Sequence, residues 1–240
     1  MQPAYARRYR TLWERHWWWR SREGLILAAI RRVARTTRLE RLLDIGCGDA
    51  LFFDELAKFG EVDGLEPDGS LLGESPWRGR IAVGPLGPEF RPDRPYDLAL
   101  MLDVLEHIED DESALASAFG AIRPGGRLLL TVPALPWLWS RHDEANEHHR
   151  RYRLCDLRGK LEAAGFEVDV GRHAFVWTIL PMIARRWLFP AGCGKADHDV
   201  TIPPKPINAV LAAWSRMEHA LGWFVAPPWG SSILAVARRP

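Results

Sequence analysis

The chain of 240 residues has few cysteines, no long uncharged apolar run and a formal net charge of only +1. Its cysteines, Cys47, Cys155 and Cys193, are scattered and odd in number, which excludes a disulfide scaffold. The best candidate for a membrane-spanning helix, residues 174–184, is shorter than the roughly 18 residues required and runs into Arg185. An apolar fraction of 47% excludes intrinsic disorder.

The N-terminus also lacks the basic region, apolar run and small-residue cleavage site of a secretory signal, so we expect a cytoplasmic protein. The length suits one domain, with or without a large insertion. No internal repeat or low-complexity tract is evident in the sequence.

Charge and tryptophan are concentrated at the ends of the chain. Residues 1–41 contain eleven arginines and three glutamates, a local +8, so the remaining residues carry −7. Four of the twelve tryptophans lie in the first 20 residues and five follow residue 170.

Tryptophan favours the boundary between apolar and wet regions, and arginine is attracted to anionic headgroups. We therefore expect the two end segments to form a lid, and we expect this lid to contact the inner face of a membrane peripherally. Residues 17–19, however, fan across about 200° of a helix, so at least one tryptophan should pack inward.

Short β-rich runs alternate with helical stretches from residue 39 onward, which predicts an α/β fold with a parallel sheet. The predicted strands are 40–45, 61–66, 80–83, 96–102, 126–132, 165–173 and 231–239. Helices are predicted near 50–58, 69–74, 111–121 and 154–164, with two more between 174 and 230. The second of these two is amphipathic, with apolar residues on one helical face.

These patterns divide the chain into four parts. We expect an N-terminal helical lid at 1–38, a ligand-binding core at 39–173, a helical insertion at 174–230 and a last core strand at 231–240.

The strongest motif is LLDIGCGDA at 42–50, a buried strand that runs into a glycine turn. Gly46 and Gly48 would let a ligand approach the backbone where a side chain would block it. Glu66 ends the next strand, 20 residues after Gly46, where a carboxylate can accept both hydroxyls of a ribose. Together these residues predict a nucleoside ligand.

Two residues distinguish between nucleoside ligands. Leu51 occupies the place of the third glycine of a dinucleotide fingerprint, which disfavours a nicotinamide cofactor. Asp44, two residues before the first glycine, would repel a pyrophosphate but suits a ligand with an ammonium and a sulfonium. S-adenosylmethionine carries both groups.

These motifs resemble those of class I S-adenosylmethionine-dependent methyltransferases. The resemblance rests on LLDIGCGDALF, VDGLEPD, YDLALMLDVLEHIED and AIRPGGRLLLTVP. The chain is also similar to a bacterial group of these enzymes with HWW near the start, here 16–18, an Asp-Glu-x-x-x-His-x-Arg-Arg-Tyr loop, here 143–152, and a Pro-x-Gly-[ST]-Ser turn, here 228–232.

The resemblance implies a Rossmann-like methyltransferase fold, with a mostly parallel seven-stranded sheet, helices on both faces and a helical insertion before the last strand. It implies that Gly46 and Gly48 line the methionine part of the cofactor S-adenosylmethionine, that Glu66 holds the ribose and that Asp103 lies beside the cofactor. Residues 82–86 lack the Asp that meets adenine in many relatives, so adenine contacts stay unassigned.

His107, just past the fourth predicted strand, is one candidate base, because open α/β folds place their sites at the carboxyl ends of strands. A base is needed only if the acceptor has a proton to lose. A helix-start histidine bonded to the backbone is the alternative. In quinone O-methyltransferases a similar Glu-His segment lies at the active site.

The loop after the fifth strand contains the second group of candidates. We expect His148 to orient or deprotonate the acceptor, and Asp143 and Tyr152 to contribute to substrate binding. Arg150 and Arg151 could bind an anionic group such as phosphate, because paired guanidinium forks suit that geometry. The spacing of acids and histidines in this loop fits no closed metal site, so we expect no metal. A solvated charged loop is the alternative.

The leading interpretation is methyl transfer to a small-molecule or lipid-linked acceptor. The alternatives are a nicotinamide-dependent oxidoreductase and a non-catalytic protein that binds S-adenosylmethionine and uses its ends for interaction. Nucleic acid is disfavoured, because no base-flipping motif of the Asn/Asp-Pro-Pro-Tyr type is present.

Overall fold

A computed structural model of the chain describes residues 10–73, 75–188 and 201–240. The first nine residues of the expected lid and residues 189–200 of the expected insertion lie outside these ranges. The strands are β1 Arg41–Ile45, β2 Glu61–Glu66, β3 Ile81–Val83, β4 Tyr96–Leu102, β5 Ile122–Pro133, β6 Glu167–Ala174 and β7 Ser232–Arg238. The α-helices from residue 17 onward are α1 Trp17–Val33, α2 Phe53–Leu56, α3 Asp111–Ala121, α4 Arg141–Ala145, α5 Leu154–Ala163, α6 Ile179–Leu188 and α7 Lys205–Leu221. Residues 10–15 are also helical.

The described strands form one seven-stranded sheet in the order β3-β2-β1-β4-β5-β7-β6. β7 runs antiparallel to both of its neighbours, and the other neighbouring pairs are parallel. The predicted fold class is therefore confirmed. The strand order reverses between β1 and β4, so the loops that follow these two strands border one crevice at the carboxyl edge of the sheet.

Apolar side chains cover both faces of the sheet. On β4, Ala99 and Met101 pack into the cluster on one face, and Leu98 and Leu100 into the cluster on the other. This alternation follows from the period of two residues in a strand, and a strand that is covered on both faces needs a continuous apolar run. The first cluster includes side chains of α3 and α5, and the second includes side chains of α1 and α2.

The start of α1 is fixed by His16 and by aromatic packing. Burial lowers the pKa of His16 to about 4, so its neutral ring accepts a hydrogen bond at Nδ1 from the Trp18 N–H at 3.1 Å. The Trp18 ring stacks on Phe175 with centroids 5.7 Å apart, and Trp17 lies 5.0 Å from Trp177. Two of the three consecutive tryptophans therefore pack inward. The division of the chain into lid, core and insertion stays a prediction.

The sequence overestimated the helix near 50–58, which is only Phe53–Leu56, and the segment near 69–74, which is a 3₁₀ turn at Gly69–Leu71. Ala50 has a φ of +61°, in the left-handed region, so the glycine turn extends further than its pattern suggested. No described helix has the length and apolar character that crossing a membrane requires.

Asp97 joins three parts of the chain at the amino end of the sheet. Its Oδ2 accepts hydrogen bonds from the backbone N–H groups of Glu40 at 2.7 Å and Arg41 at 2.8 Å, and its Oδ1 accepts one from Arg123. Asp97 is buried, so solvent cannot replace these bonds.

We expect Asp97→Ala to lower the free energy of unfolding by about 2 to 4 kcal/mol, because two N–H groups and one guanidinium lose their partner. Urea denaturation followed by circular dichroism measures this loss. Asp169→Ala is the control, since the ion pair of Asp169 with Arg127 lies at an exposed strand position and should contribute less than about 1 kcal/mol. Equal losses in the two variants would contradict the prediction.

Candidate active site

The glycine turn follows β1 directly. Gly46 has a φ of +70° and Gly48 a φ of +55°, which favours glycine at both positions. A Cβ at Gly46 would lie 2.5 Å from Val104 Cγ2, so this glycine allows the loop after β4 to approach. A Cβ at Gly48 would have no described atom within 4 Å, so the space beside this residue is open. Gly48 therefore offers the approach to the backbone that a ligand needs, and Gly46 brings the two loops together.

Glu66 ends β2 beside this turn and is only 4% exposed. Its Oε2 accepts a hydrogen bond from the Gly48 N–H at 2.9 Å, and its Oε1 accepts one from the Asp68 N–H at 3.0 Å. Each carboxylate oxygen has a further lone pair. The two hydrogen bonds thus hold the carboxylate at the turn in a fixed orientation. There it can accept hydrogen bonds from the hydroxyl groups of a ribose.

Asp44 is buried near the end of β1. Burial raises the pKa of its carboxyl to about 7; the positive charge of Arg22 opposes the shift and the negative charge of Glu66 adds to it. A cationic ligand beside this carboxyl group would favour its ionised form.

Asp103 follows β4 with a φ of +58°, which is uncommon for a residue other than glycine. Its Oδ2 lies 2.8 Å from Arg22 Nη2, and its Oδ1 accepts a hydrogen bond from the Thr131 hydroxyl at 2.9 Å. Arg22 is almost completely buried and also donates to Thr131 Oγ1 at 3.0 Å. Arg22 was not among the expected site residues, although its position just before the apolar run of α1 was a signal that could have indicated burial.

The two candidate segments with histidines lie side by side at the same edge of the sheet. The ring centroids of His107 and His148 are 4.7 Å apart, and the rings are nearly perpendicular. The backbone N–H of His149 donates to the Glu106 carbonyl oxygen at 2.8 Å, which ties the loop to the turn after β4. Glu106 lies with both histidines, because the candidate ligand atoms of the three side chains are all within 4.8 Å of one another. The expectation of no metal rested on the spacing within the loop alone, and it stays a prediction.

Asp143, at the start of α4, is 0% exposed and fixes the orientation of His148. Its carboxylate lies 3.0 Å from His148 Nδ1 and accepts hydrogen bonds from Arg151 Nε at 2.7 Å and the Ser140 N–H at 2.8 Å. Burial alone would raise the pKa of Asp143, but these hydrogen bonds and the charge of Arg151 hold it well below its ordinary value. The buried Asp143 carboxylate therefore holds the His148 ring and the Arg151 guanidinium in fixed positions.

The two arginines of the loop bind different carboxylates of the protein itself. Arg150 Nη1 lies 2.8 Å from Asp111 Oδ2, whereas Arg151 is buried against Asp143. The Tyr152 hydroxyl donates to Asp111 Oδ2 at 2.8 Å. The two guanidinium groups were expected to bind one anionic group together. In the structure each is paired with a different carboxylate of the protein. Any contact of these residues with a substrate stays a prediction.

Solved structures with the same fold include two putative methyltransferases. The chain is similar to a putative methyltransferase from Haloferax volcanii, solved in complex with the Trm112 methyltransferase activator, with a TM-score of 0.59 and 16% identity, covering 99% of this chain and 95% of that one. A putative methyltransferase from Bacillus halodurans gives a TM-score of 0.56 and 19% identity over 89% and 98% of the two chains. At these identities the likeness shows the fold alone.

Curated relatives match part of the chain. A probable S-adenosylmethionine-dependent methyltransferase of Mycolicibacterium smegmatis is 28% identical over 167 residues, 65% of this chain and 62% of that protein. A ubiquinone biosynthesis O-methyltransferase of Aeromonas salmonicida is 29% identical over 107 residues, 39% of this chain and 43% of that protein. The matches thus span less than two thirds of these relatives.

A family model described as "Methyltransferase domain" matches residues 18–169, which run from α1 to β6 and include the glycine turn and both histidine segments. This match covers more than half of the chain. The chain belongs to the methyltransferase domain family, and its cofactor is S-adenosylmethionine.

Proposed function

We propose that the protein transfers the methyl group of S-adenosylmethionine to a hydroxyl group of an amphipathic acceptor, a small molecule or a lipid-linked compound. The observation that carries the proposal is the contact between His107 and His148 at the edge of the crevice that also contains Asp103 and the glycine turn. The match to ubiquinone biosynthesis O-methyltransferases, enzymes named for transfer to oxygen, supports a hydroxyl acceptor.

The reaction is an in-line displacement at the methyl carbon. Gly48 and Glu66 would hold S-adenosylmethionine, which would supply the methyl group: the acceptor oxygen would bond to the methyl carbon as the carbon–sulfur bond breaks, and the electron pair of that bond would stay on sulfur in the departing S-adenosylhomocysteine. The hydroxyl proton moves to His148. Nδ1 of this histidine faces Asp143, so Nε2 is the nitrogen that can accept the proton, and the Asp143 carboxylate then stabilises the imidazolium.

His107 assists as a neutral partner in this proposal. Burial lowers its pKa, and the neighbouring His148 lowers it further. A neutral imidazole can hydrogen-bond the acceptor without competing for the proton.

The comparisons do not favour an oxidoreductase or a non-catalytic protein. An assay for S-adenosylhomocysteine over a panel of phenols and lipid-linked alcohols tests the proposal directly.

An exposed apolar face on α7 supports entry of the acceptor from a membrane surface. The exposed side chains on this face, spaced at three and four residues, are Ile207, Val210, Trp214, Met217 and Leu221. The opposite face of α7 buries Ala212, Ser215 and His219. An amphipathic helix with its apolar face outward is suited to lie in a lipid interface. The arginines near the N-terminus would add attraction to anionic headgroups.

We expect Glu66→Ala to weaken binding of S-adenosylmethionine by about 1 to 3 kcal/mol, because the ribose would lose charge-assisted hydrogen bonds. Isothermal titration calorimetry measures the change. Glu61→Ala is the matched control, since Glu61 begins the same strand and is exposed. Unchanged affinity in Glu66→Ala would remove this residue from the cofactor site.

We expect His148→Ala to lower turnover about 10²-fold, as for loss of a general base, while the affinity for S-adenosylmethionine changes little. The neighbouring His149→Ala, an exposed position, should retain activity. Activity that survives in His148→Ala but disappears in His107→Ala would move the acid–base role to the turn after β4. Circular dichroism confirms that each variant is folded.

The membrane proposal predicts that the protein sediments with liposomes that contain anionic lipid, and that binding falls with added salt. Replacing Trp214 and Leu221 by Gln should weaken binding at least about tenfold, because two apolar side chains no longer enter the interface. Val83→Gln, an exposed apolar position on β3, is the control. An absence of sedimentation at every lipid composition and salt concentration would refute membrane entry.

A further inference from the structure

Buried polar atoms without hydrogen-bond partners are concentrated where β6 meets the end of α7. Among the described residues, five buried side-chain nitrogen and oxygen atoms lack a partner, and four of them belong to Arg172 and His219. Arg172 lies on β6 and is 3% exposed, and His219 lies on α7 and is 5% exposed. Buried polar groups are normally paired, so this concentration points to a polar ligand that binds there.

The side chains of Arg172 and His219 are neighbours. Burial lowers the pKa of His219 to about 4 and the positive charge of Arg172 adds to the shift, so the imidazole is neutral at neutral pH. The Ser21 backbone interacts with this ring, but without a hydrogen bond of ordinary geometry. A Cβ at Gly222, which follows α7, would collide with Arg172 Nη2, so glycine at this position makes room for the guanidinium.

The charge of Arg172 is not neutralised by a bound carboxylate. Arginine keeps its proton in proteins, so its N–H groups need acceptors. Glu218 is near enough for its charge to act on Arg172, but its two oxygens accept hydrogen bonds from the N–H groups of Val176 at 3.0 Å and Trp177 at 3.3 Å. Burial lowers the pKa of Arg172, and the positive charge of Arg32 adds to the shift. Two cations beside one occupied carboxylate favour an anion as the ligand.

The ring of Trp223 covers these cations. Its centroid lies 4.8 Å from Cζ of Arg172 and 4.2 Å from Cζ of Arg32, which is exposed at the end of α1. Trp223 is half-buried, and the next two residues, Phe224 and Val225, are 85% and 75% exposed. Exposed apolar side chains beside positive charges suit a lipid surface, where acyl chains and phosphate groups lie close together.

We infer that Arg172, Arg32 and His219 bind a terminal phosphate group, and that the Trp223 ring moves aside to admit it. Guanidinium forks bind phosphate oxygens in pairs, and a neutral imidazole can donate one more hydrogen bond. A phosphorylated lipid and free phosphate share this chemistry. The exposed Phe224 and Val225 favour the lipid, a choice that rests on the proposed membrane entry, whereas the phosphate site itself does not.

Isothermal titration of the full chain with inorganic phosphate, against sodium chloride of equal ionic strength, tests the site. We expect one phosphate per chain. Arg172→Gln and Arg32→Gln should each weaken binding at least about tenfold, because a charge-assisted pair is lost. Arg31→Gln is the matched control, since this exposed neighbour on α1 removes the same charge and should leave binding unchanged. Circular dichroism checks that each variant is folded.

The variant Trp223→Ala tests the cover. We expect it to bind inorganic phosphate about threefold more tightly, because the cation–π contact with Arg172 no longer has to be broken. Unchanged or weaker phosphate binding in Trp223→Ala would overturn the role of Trp223 as a cover.

Vesicles distinguish the two sources of phosphate. Phosphatidic acid exposes a terminal phosphate and phosphatidylglycerol does not, so the two lipids are compared in phosphatidylcholine vesicles of equal surface charge. We expect the protein to sediment more strongly with phosphatidic acid, and this preference to disappear in Arg32→Gln but not in Arg31→Gln. Binding of inorganic phosphate without this preference would support the site and overturn the lipid as its source.

No binding of inorganic phosphate together with no preference for phosphatidic acid would overturn the inference, as would equal losses in Arg31→Gln and Arg32→Gln. A parallel assay for S-adenosylhomocysteine keeps the inference separate from the proposed function. Phosphate binding that depends on Arg172, without methyl transfer to any hydroxyl acceptor, would support the phosphate site and overturn the proposed function.

Discussion

The reversal of strand order between β1 and β4 is the constraint on which the site depends. Both strands run in the same direction and are neighbours, so the segments that follow them emerge at one edge of the sheet. Gly46 allows the segments after β1 and β4 to pack closely, because a side chain at position 46 would collide with Val104. The glycine turn and the segment that contains Asp103 and His107 therefore face the same crevice, although they are far apart in the chain.

Two arginines buried around this crevice are paired with carboxylates. Arg22 meets Asp103, and Arg151 meets Asp143, in surroundings where an unpaired charge would be strongly destabilising. Each pair also positions a functional segment, since the first fixes the end of β4 against α1 and the second holds His148 through Asp143. Glu106 differs from Asp103 and Asp143, since one of its carboxyl oxygens has no hydrogen-bond partner in the described part of the chain. This contrast makes its surroundings the most distinctive part of the crevice.

The sequence was most informative where structure depends on near neighbours. The β1 strand, the glycine turn and the position of Glu66 at the end of β2 all follow from apolar runs and from the spacing of glycine and acid, and the structure contains each of them. The helix near 50–58 was overestimated, because the left-handed conformation of Ala50 is not evident from residue type.

The sequence by itself determined the strands, the turn and the residue types available for chemistry, because hydrophobic period and glycine spacing act over a few residues. Only the tertiary structure decided which charged groups meet. Arg22 and Asp103 are 81 residues apart, and His107 and His148 are 41 apart. A local pattern cannot tell whether the guanidinium of Arg150 faces solvent, a substrate or Asp111, since that choice depends on how a distant helix packs against the loop.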